Sequence, residues 1–377
     1  MKKGDRKMKI VGTIVEYNPL HNGHVYAIEQ IRKESKADIL VAVLSGNFTM
    51  RGNLSMFSKF DKTHQALRAG MDILIELPFV YAVQNSDLFA KNSVSLLNLI
   101  GVEELWIGSE QNDPSLYEVY YKKWNTEENQ NKIKDLLAKG KSYKEATASI
   151  IDLPSNDLLG YSYYKAIQEN HYPITIKTIQ RIGSFNSKTP EQFASAYAIR
   201  QNPKLMAAYC PSYLSSFQPR DEEQLFPYLK YSILNSSKEE LKEIFFVEEG
   251  LEHKLEEIKN FSSIQEFVDF LATKRYTKSR IQRMLLYILF DIKKGFVEEI
   301  KKGSPEFVRI LGYSPAGLTY LSSRKKQVKL YTNLKNGIHP ILDLELKITK
   351  ILDFIYQTED FKQEQAKPIT IEESIPI

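Results

Sequence analysis

The chain has 377 residues, 42% of them hydrophobic, enough for two domains with sizeable cores. Formal net charge is +4, so mild that only the distribution of charge can argue for nucleic acid. The single cysteine, Cys210, excludes an internal disulfide framework and a cysteine-based zinc site, and suits a reducing compartment.

Met1 to Lys9 is lysine-rich, but the apolar run behind it, Ile10 to Val15, leads at once into Glu16. That is too short for a signal-peptide core or a membrane helix, so a cytoplasmic protein is expected. The run is β-branched, which suits a buried strand. Asn18-Pro19 marks a turn, and a helical pattern through Ile28, Ile31 and Arg32 begins at His21-Asn22-Gly23-His24. A helix start attracts anions, because its first amides lack internal partners and its dipole end is positive. His21 and His24 share one helix face, so both imidazoles can donate to the oxygens of one phosphate. Gly23 lets a ligand approach the backbone. Two solvated loop histidines are the plain rival; the order strand, turn, helix favours phosphate.

Ile39 to Leu44 is a second apolar run, closed by Ser45-Gly46. A helix over Phe60 to Ala69 ends at Gly70, and Asp72 to Leu77 is a third strand stopped by Pro78. Asp87 to Ile100 is helical, and Leu105 to Ile107 is a fourth strand before Gly108. Strands alternating with helices predict right-handed crossovers and a parallel sheet, with ligands at the carboxyl ends of its strands. Glu16-Tyr17-Asn18, Ser45-Gly46-Asn47, Pro78 and Gly108-Ser109 all fall at those ends. Lys123 to Lys141 is a charged helical insert. Asn156 stands just before a helix, as an N-cap would. Ile174 to Ile179 alternates as a fifth strand. Behind it, Arg181-Ile182-Gly183 puts a cation beside a glycine, suited to a triphosphate or to a solvated loop.

Past Asn202 the rhythm changes. Glu222 to Leu234, Lys238 to Phe245, Leu251 to Ile258, Ile264 to Ala272 and Ser279 to Ile292 all show helical spacing. This predicts a mainly helical second domain, finished by a small mixed segment from Val308 and a helix over Leu346 to Ile355. Lys274-Arg275-Tyr276-Thr277-Lys278-Ser279-Arg280 with Arg283, and Arg324-Lys325-Lys326 with Lys329, concentrate positive charge. Such a run is as often a solvated face. Its cations suit phosphates, and Tyr276 is of the type that stacks on an unpaired base.

Several of these blocks carry a resemblance. His21-Asn22-Gly23-His24 is similar to the HxGH signature of the nucleotidylyltransferase superfamily. Its members attack the α-phosphate of a nucleoside triphosphate; two histidines steady the transition state, and no covalent enzyme intermediate forms. The longer string from Val15 to His24 resembles, more specifically, the bacterial tRNA(Met) cytidine acetate ligase family. Ser45-Gly46-Asn47-Phe48, Arg51-Gly52, Ile75-Glu76-Leu77-Pro78, Tyr81-Ala82-Val83-Gln84 and Gly108-Ser109-Glu110 extend the likeness over nearly the whole chain. The resemblance implies an α/β fold. A Rossmann-like parallel-sheet nucleotidylyltransferase domain that binds ATP would span residues 8–205, and a mainly helical tRNA-binding domain residues 206–377.

The implied activity is a two-step ligation: acetate and ATP give acetyl-adenylate and pyrophosphate, then the acetyl group passes to the wobble cytidine of elongator tRNA(Met) as N4-acetylcytidine. His21 and His24 would be catalytic. ATP would lie against Ile14, Val15, Glu16, Tyr17, Asn18, Pro19, Leu20, Asn22, Gly23, Val25, Tyr26 and Ala27, with Gly108, Asn156 and Arg181. Lys274, Arg275, Lys278 and Arg280 would contact tRNA. Of the family's Pro-Asn-Asn block only Asn156 is carried over, because Ser155 holds the middle position. Ser195 and Arg200 resemble the superfamily's second phosphate-holding signature, from which Ala196 and Tyr197 depart. Lys59 and Lys62 are candidates for the same pocket, although the family more often has arginine near Lys62, and Met50 stands where glutamine is common. Glu16 is a base, a Mg2+ partner or a satisfied carboxylate. Mg2+ is expected with ATP, without a protein metal site, and no membrane or obligate protein partner is expected. The rival readings are a small-molecule nucleotidylyltransferase, a ligase of acetate to a protein thiol, and a non-catalytic tRNA-binding module.

Overall fold

The structure, a computed structural model, describes residues 7–141, 143–181, 193–248 and 250–371. Strand β1 (Ile10–Val15) leads into helix α1 (Asn22–Ser35), then β2 (Ile39–Ser45), α2 (Lys59–Arg68), β3 (Ile73–Leu77) and α3 (Ser86–Ile100). β4 (Glu104–Ser109), α4 (Ser155–Glu169), β5 (Thr175–Gln180) and α5 (Ala196–Gln201) follow. The five strands are parallel, in the order β5-β4-β1-β2-β3. The winding reverses between β1 and β4, where sheets of this kind have their ligand crevice, beyond the carboxyl ends of the strands. The unbroken apolar run of β2 is explained by burial on both faces. Ile39, Val41 and Val43 pack with Val94 and Leu97 of α3, while Leu40, Ala42 and Leu44 pack with Ile28 and Ile31 of α1 and Leu67 of α2.

The boundary expected at residue 205 marks a change of rhythm, not the edge of the sheet. Helices from Phe226–Leu234 to Lys294–Lys301, among them α6 (Lys278–Leu289), form the second half as expected. The chain then returns. β6 (Phe307–Tyr313) lies antiparallel on β3, and β7 (Lys329–Tyr331) and β8 (Ile369–Thr370) run parallel to β6, with α7 (Pro340–Tyr356) and α8 (Asp360–Gln365) between them. The physical reason is β3. Its side chains are fully buried, so its outer edge needs a partner.

A charged core ties the two halves together. Lys59 Nζ lies 2.6 Å from Glu76 Oε1, 2.5 Å from Glu364 Oε1 and 3.7 Å from Glu345 Oε2. Arg309 Nη2 lies 3.2 Å from Glu364 Oε2. Burial, and then Glu76, push the Glu345 carboxyl well above its usual range, so it keeps its proton. Two cations then face two carboxylates, a balance that a dry interior requires. No described helix is long and apolar enough to cross a membrane.

Candidate functional site

The crevice begins where β1 ends. Tyr17 takes a left-handed backbone (φ 45°), and the Asn18-Pro19 bond is cis. His21 is then the N-cap of α1. Its Nδ1 accepts from the Gly23 amide at 3.1 Å, while His24 Nδ1 accepts from the His21 amide at 3.2 Å. The two rings stack with centroids 3.7 Å apart, 25° from parallel. Since each Nδ1 is an acceptor, the neutral ring carries its proton on Nε2. Both rings are held neutral: burial, then Arg181 and Arg200, push His21 down to about 3, and burial, then His21 and Arg181, hold His24 well below its usual value. The corner therefore offers two adjacent Nε2–H donors with two arginines close enough to be felt by them.

This arrangement differs from the expected one in two ways. The Gly23 amide, one of the helix-start amides expected to attract an anion, already donates to His21 Nδ1. Gly23 is required by that cap: a Cβ there would lie 3.0 Å from His21 Cε1 and Nδ1.

The Glu16-to-Asn18 turn is pinned to its neighbours. Glu16 Oε1 accepts from the Met50 amide at 2.7 Å, which makes Glu16 a tie to the Met50–Gly52 loop. Asn18 Oδ1 accepts from the Met56 amide at 2.8 Å, and Arg200 Nη1 donates to the Asn18 carbonyl. Ser195 caps α5, its Oγ accepting from the Ala198 amide. Lys59 does not reach the crevice; it is consumed by the charged core. Lys62, equally buried, donates to the carbonyls of Glu16 and Ser45.

Across the crevice, Arg181 lies over Gly108, where a Cβ would come within 3.2 Å of its Cγ. The Arg181 amide donates to the Ser109 carbonyl. Ile182 and Gly183 lie outside the described residues. Asn156 is not the N-cap, which is Pro154; it sits in the first turn of α4 and donates from Nδ2 to Glu110 Oε1 at 2.5 Å. Its neighbour Asp157, unmarked by sequence reasoning, organises this wall. It accepts from Ser109 Oγ, from the amides of Glu110 and Gln111 at 2.9 and 3.1 Å, and from the Tyr117 hydroxyl at 3.0 Å. An acid in a helix's first turn was its only signal in the sequence. Among the described residues no three His, Cys, Asp or Glu side chains gather to hold a metal.

Residues 8–367 match the model of the HIGH Nucleotidyl Transferase family. The tRNA(Met) cytidine acetate ligase of Bacillus subtilis is 38% identical over 91% of this chain and 92% of its own. That of Oceanobacillus iheyensis is 38% identical over 97% and 100%. The chain belongs to the tRNA(Met) cytidine acetate ligase family. Its fold matches crystal structures of Thermotoga maritima TmcAL. The apo form has a TM-score of 0.85 at 27% identity over 97% of this chain and all of the other. A form bound with alpha-thio ATP has a TM-score of 0.83 at 29% identity, with the same coverage.

In this family member the basic segment at the start of α6 is partly neutralised. Arg280 pairs with Glu248 Oε1, Arg275 Nη2 lies 3.7 Å from Glu248 Oε2, and Lys278 Nζ lies 2.5 Å from Asp269 Oδ1. Lys274 is exposed. Tyr276, expected to offer a ring for stacking, is buried and donates its hydroxyl to Glu248 Oε2 at 3.0 Å. The segment abuts the crevice: Arg283 Nη1 donates to the Met50 carbonyl at 3.2 Å, and a Cβ on Gly52 would come within 2.6 Å of the Arg283 amide nitrogen. In the second basic block Arg324 is engaged by the Leu99 carbonyl, while Lys325, Lys326 and Lys329 are exposed.

Proposed function

We propose that this protein activates acetate with ATP and transfers the acetyl group to the exocyclic amine of the wobble cytidine of elongator tRNA(Met). The observation that carries the proposal is the stacked pair of neutral imidazoles at the tip of α1, both with Nε2–H to offer, in a chain whose structural neighbour is bound with alpha-thio ATP. The names of the relatives supply the acceptor.

Acetate is already a nucleophile, so the first step needs positioning and charge neutralisation rather than a strong base. A carboxylate oxygen bonds to the α-phosphorus as the bond to pyrophosphate breaks. His21 and His24 donate from Nε2 to the α-phosphate oxygens, and Arg181 meets the outer phosphates. The strand end from Ile14 to Asn18, with Gly108 and Asn156, holds the nucleoside. Mg2+, carried on phosphate oxygens, would spread their charge. In the second step the cytidine N4 bonds to the acetyl carbon, AMP departs with the bonding pair, and the amine releases a proton. The base must first leave its stack, at about a few kcal/mol, less in a loop than in a duplex. Residues 8–205 supply the nucleotide site, and Lys274, Arg275, Lys278 and Arg280 meet tRNA phosphates. ATP and tRNA place the reaction in the cytoplasm, with no membrane and no obligate protein partner.

The test is mass spectrometry of tRNA nucleosides after incubation with ATP, labelled acetate and total tRNA. Labelled N4-acetylcytidine, confined to the methionine elongator, is the expected result. Label in a protein thiol, or AMP transferred to a metabolite, would overturn the proposal.

A further inference from the structure

The residue that the two-step mechanism leaves unused is Lys62. It lies one turn into α2 and is fully buried. Its neighbour Lys59 is met by carboxylates, whereas the bonds described for Lys62 are all to neutral oxygens. A buried ammonium without an ion pair is expensive, and burial pushes this one down to about 7. Such a group persists only where its hydrogen bonds are complete, and here they are. Nζ donates to the Ser45 carbonyl at 2.7 Å, the Glu16 carbonyl at 2.9 Å and Ser55 Oγ at 3.0 Å, three acceptors for three protons.

The acceptors come from three segments that meet under the crevice. The ladder between β1 and β2 ends at Val15 and Leu44. One residue later Glu16 and Ser45 are no longer paired with each other, although Ser45 still pairs with Leu77 of β3, and the ammonium bridges their two carbonyls where the β1–β2 ladder stops. The residue after Glu16 is Tyr17, whose left-handed backbone is unfavourable for a side chain of that size. The Tyr17 ring in turn packs edge-on against His24, with centroids 5.0 Å apart. Lys62 holds the carbonyl on one side of Tyr17, and Arg200 holds the Asn18 carbonyl on the other.

We propose that Lys62 is a positioning residue for the adenylation step, fixing through the Glu16 carbonyl and Tyr17 the ring of His24 that meets the α-phosphate. It is not a phosphate ligand, because all three protons are used and the side chain is sealed from the crevice. This distinguishes it from a lysine that grips phosphate as a point charge.

The inference rests on the ligase reading, and its test is acetate-dependent ATP–pyrophosphate exchange with Lys62→Met and Lys62→Arg beside the wild type. Misaiming a catalytic ring by a fraction of an ångström should lower the kcat of Lys62→Met on the order of tenfold to a hundredfold. KM for ATP and the affinity for alpha-thio ATP should stay within about threefold. Lys62→Arg, which keeps charge and donors, should recover most of the loss. A KM that rises in step with lost activity while kcat holds would overturn the inference, since that is the mark of a phosphate ligand. If Lys62→Met fails to fold, Ser55→Ala decides by removing one of the three acceptors. A drop of about threefold in kcat at constant KM supports the inference, and an unchanged kcat overturns it. Exchange absent from wild type and variants alike would overturn the ligase reading and the inference with it. Full exchange in both overturns the inference alone.

Discussion

Replacing His21 separates two tasks that one ring performs. Its Nδ1 caps the Gly23 amide, and in the proposed reaction its Nε2–H donates to the α-phosphate. Asparagine is among the best N-caps but lacks the second donor, whereas alanine supplies neither. Both variants lose the ring and its stack on His24, so the difference between them isolates the cap. His21→Ala should therefore be less stable than His21→Asn by about 1 kcal/mol, or roughly 2 °C in melting temperature for a chain of this size. Catalysis should behave otherwise. Removing one preorganised donor to a developing oxyanion lowers kcat on the order of a hundredfold to a thousandfold, about 2.7–4 kcal/mol. The two variants should lose activity to the same degree. The assays are acetate-dependent ATP–pyrophosphate exchange and thermal unfolding on the same preparations. Near-normal exchange in His21→Asn would make His21 a helix cap only and remove it from the mechanism.

Gly23→Ala should keep the fold but lower exchange on the order of tenfold, because the new methyl group meets the His21 ring at 3.0 Å and displaces it. Lys59→Met leaves the buried carboxylates of Glu76 and Glu364 with Arg309 as the one cation between them, so urea unfolding at neutral pH should show a loss of about 3–5 kcal/mol. Burial holds His21 and His24 below their unfolded value of about 6.5. The unfolded chain then takes up protons first as pH falls. The contribution of the two rings is whole above pH 6.5 and is lost as pH drops towards about 3; His21→Asn should flatten the fall in urea midpoint between pH 6.5 and 5. Alanine at Lys274, Arg275, Lys278 and Arg280 should weaken tRNA binding and reduce its salt dependence, by about 0.7 to 0.9 in log–log slope for each phosphate left without its cation. Acetyl-adenylate formation should persist in that variant, and its loss would place the segment in the catalytic core.

Much of the fold was legible because it is local. The five parallel strands and the helices between them follow from apolar runs punctuated by Gly46, Gly70, Pro78 and Gly108, and the crevice residues fall at strand ends by topology alone. The histidine pair was visible from spacing, but not the direction of each ring. That direction depends on Nδ1 accepting from a backbone amide, which makes Gly23 a spacer for an imidazole. The pairing of β6 with β3 was hidden because their partnership joins distant parts of the chain and leaves no periodicity in either strand. The fate of individual charges was hidden as well. Nothing in the order of residues says that Lys59 meets Glu364, or that Glu248 gathers Arg275, Tyr276 and Arg280. A basic run reads the same whether its partner is phosphate or a carboxylate folded back from elsewhere.

The late return of the chain to its first sheet bears on how this protein is made and divided. While the ribosome is still building the helices, β3 presents an open hydrophobic margin, and Lys59 and Glu76 sit without Arg309 and Glu364 to complete their circle. The first half of the chain is finished only when the tail arrives. A fragment cut at residue 205 is for that reason an unfinished object, and any transplant of this half onto another scaffold has to bring the closing strands with it.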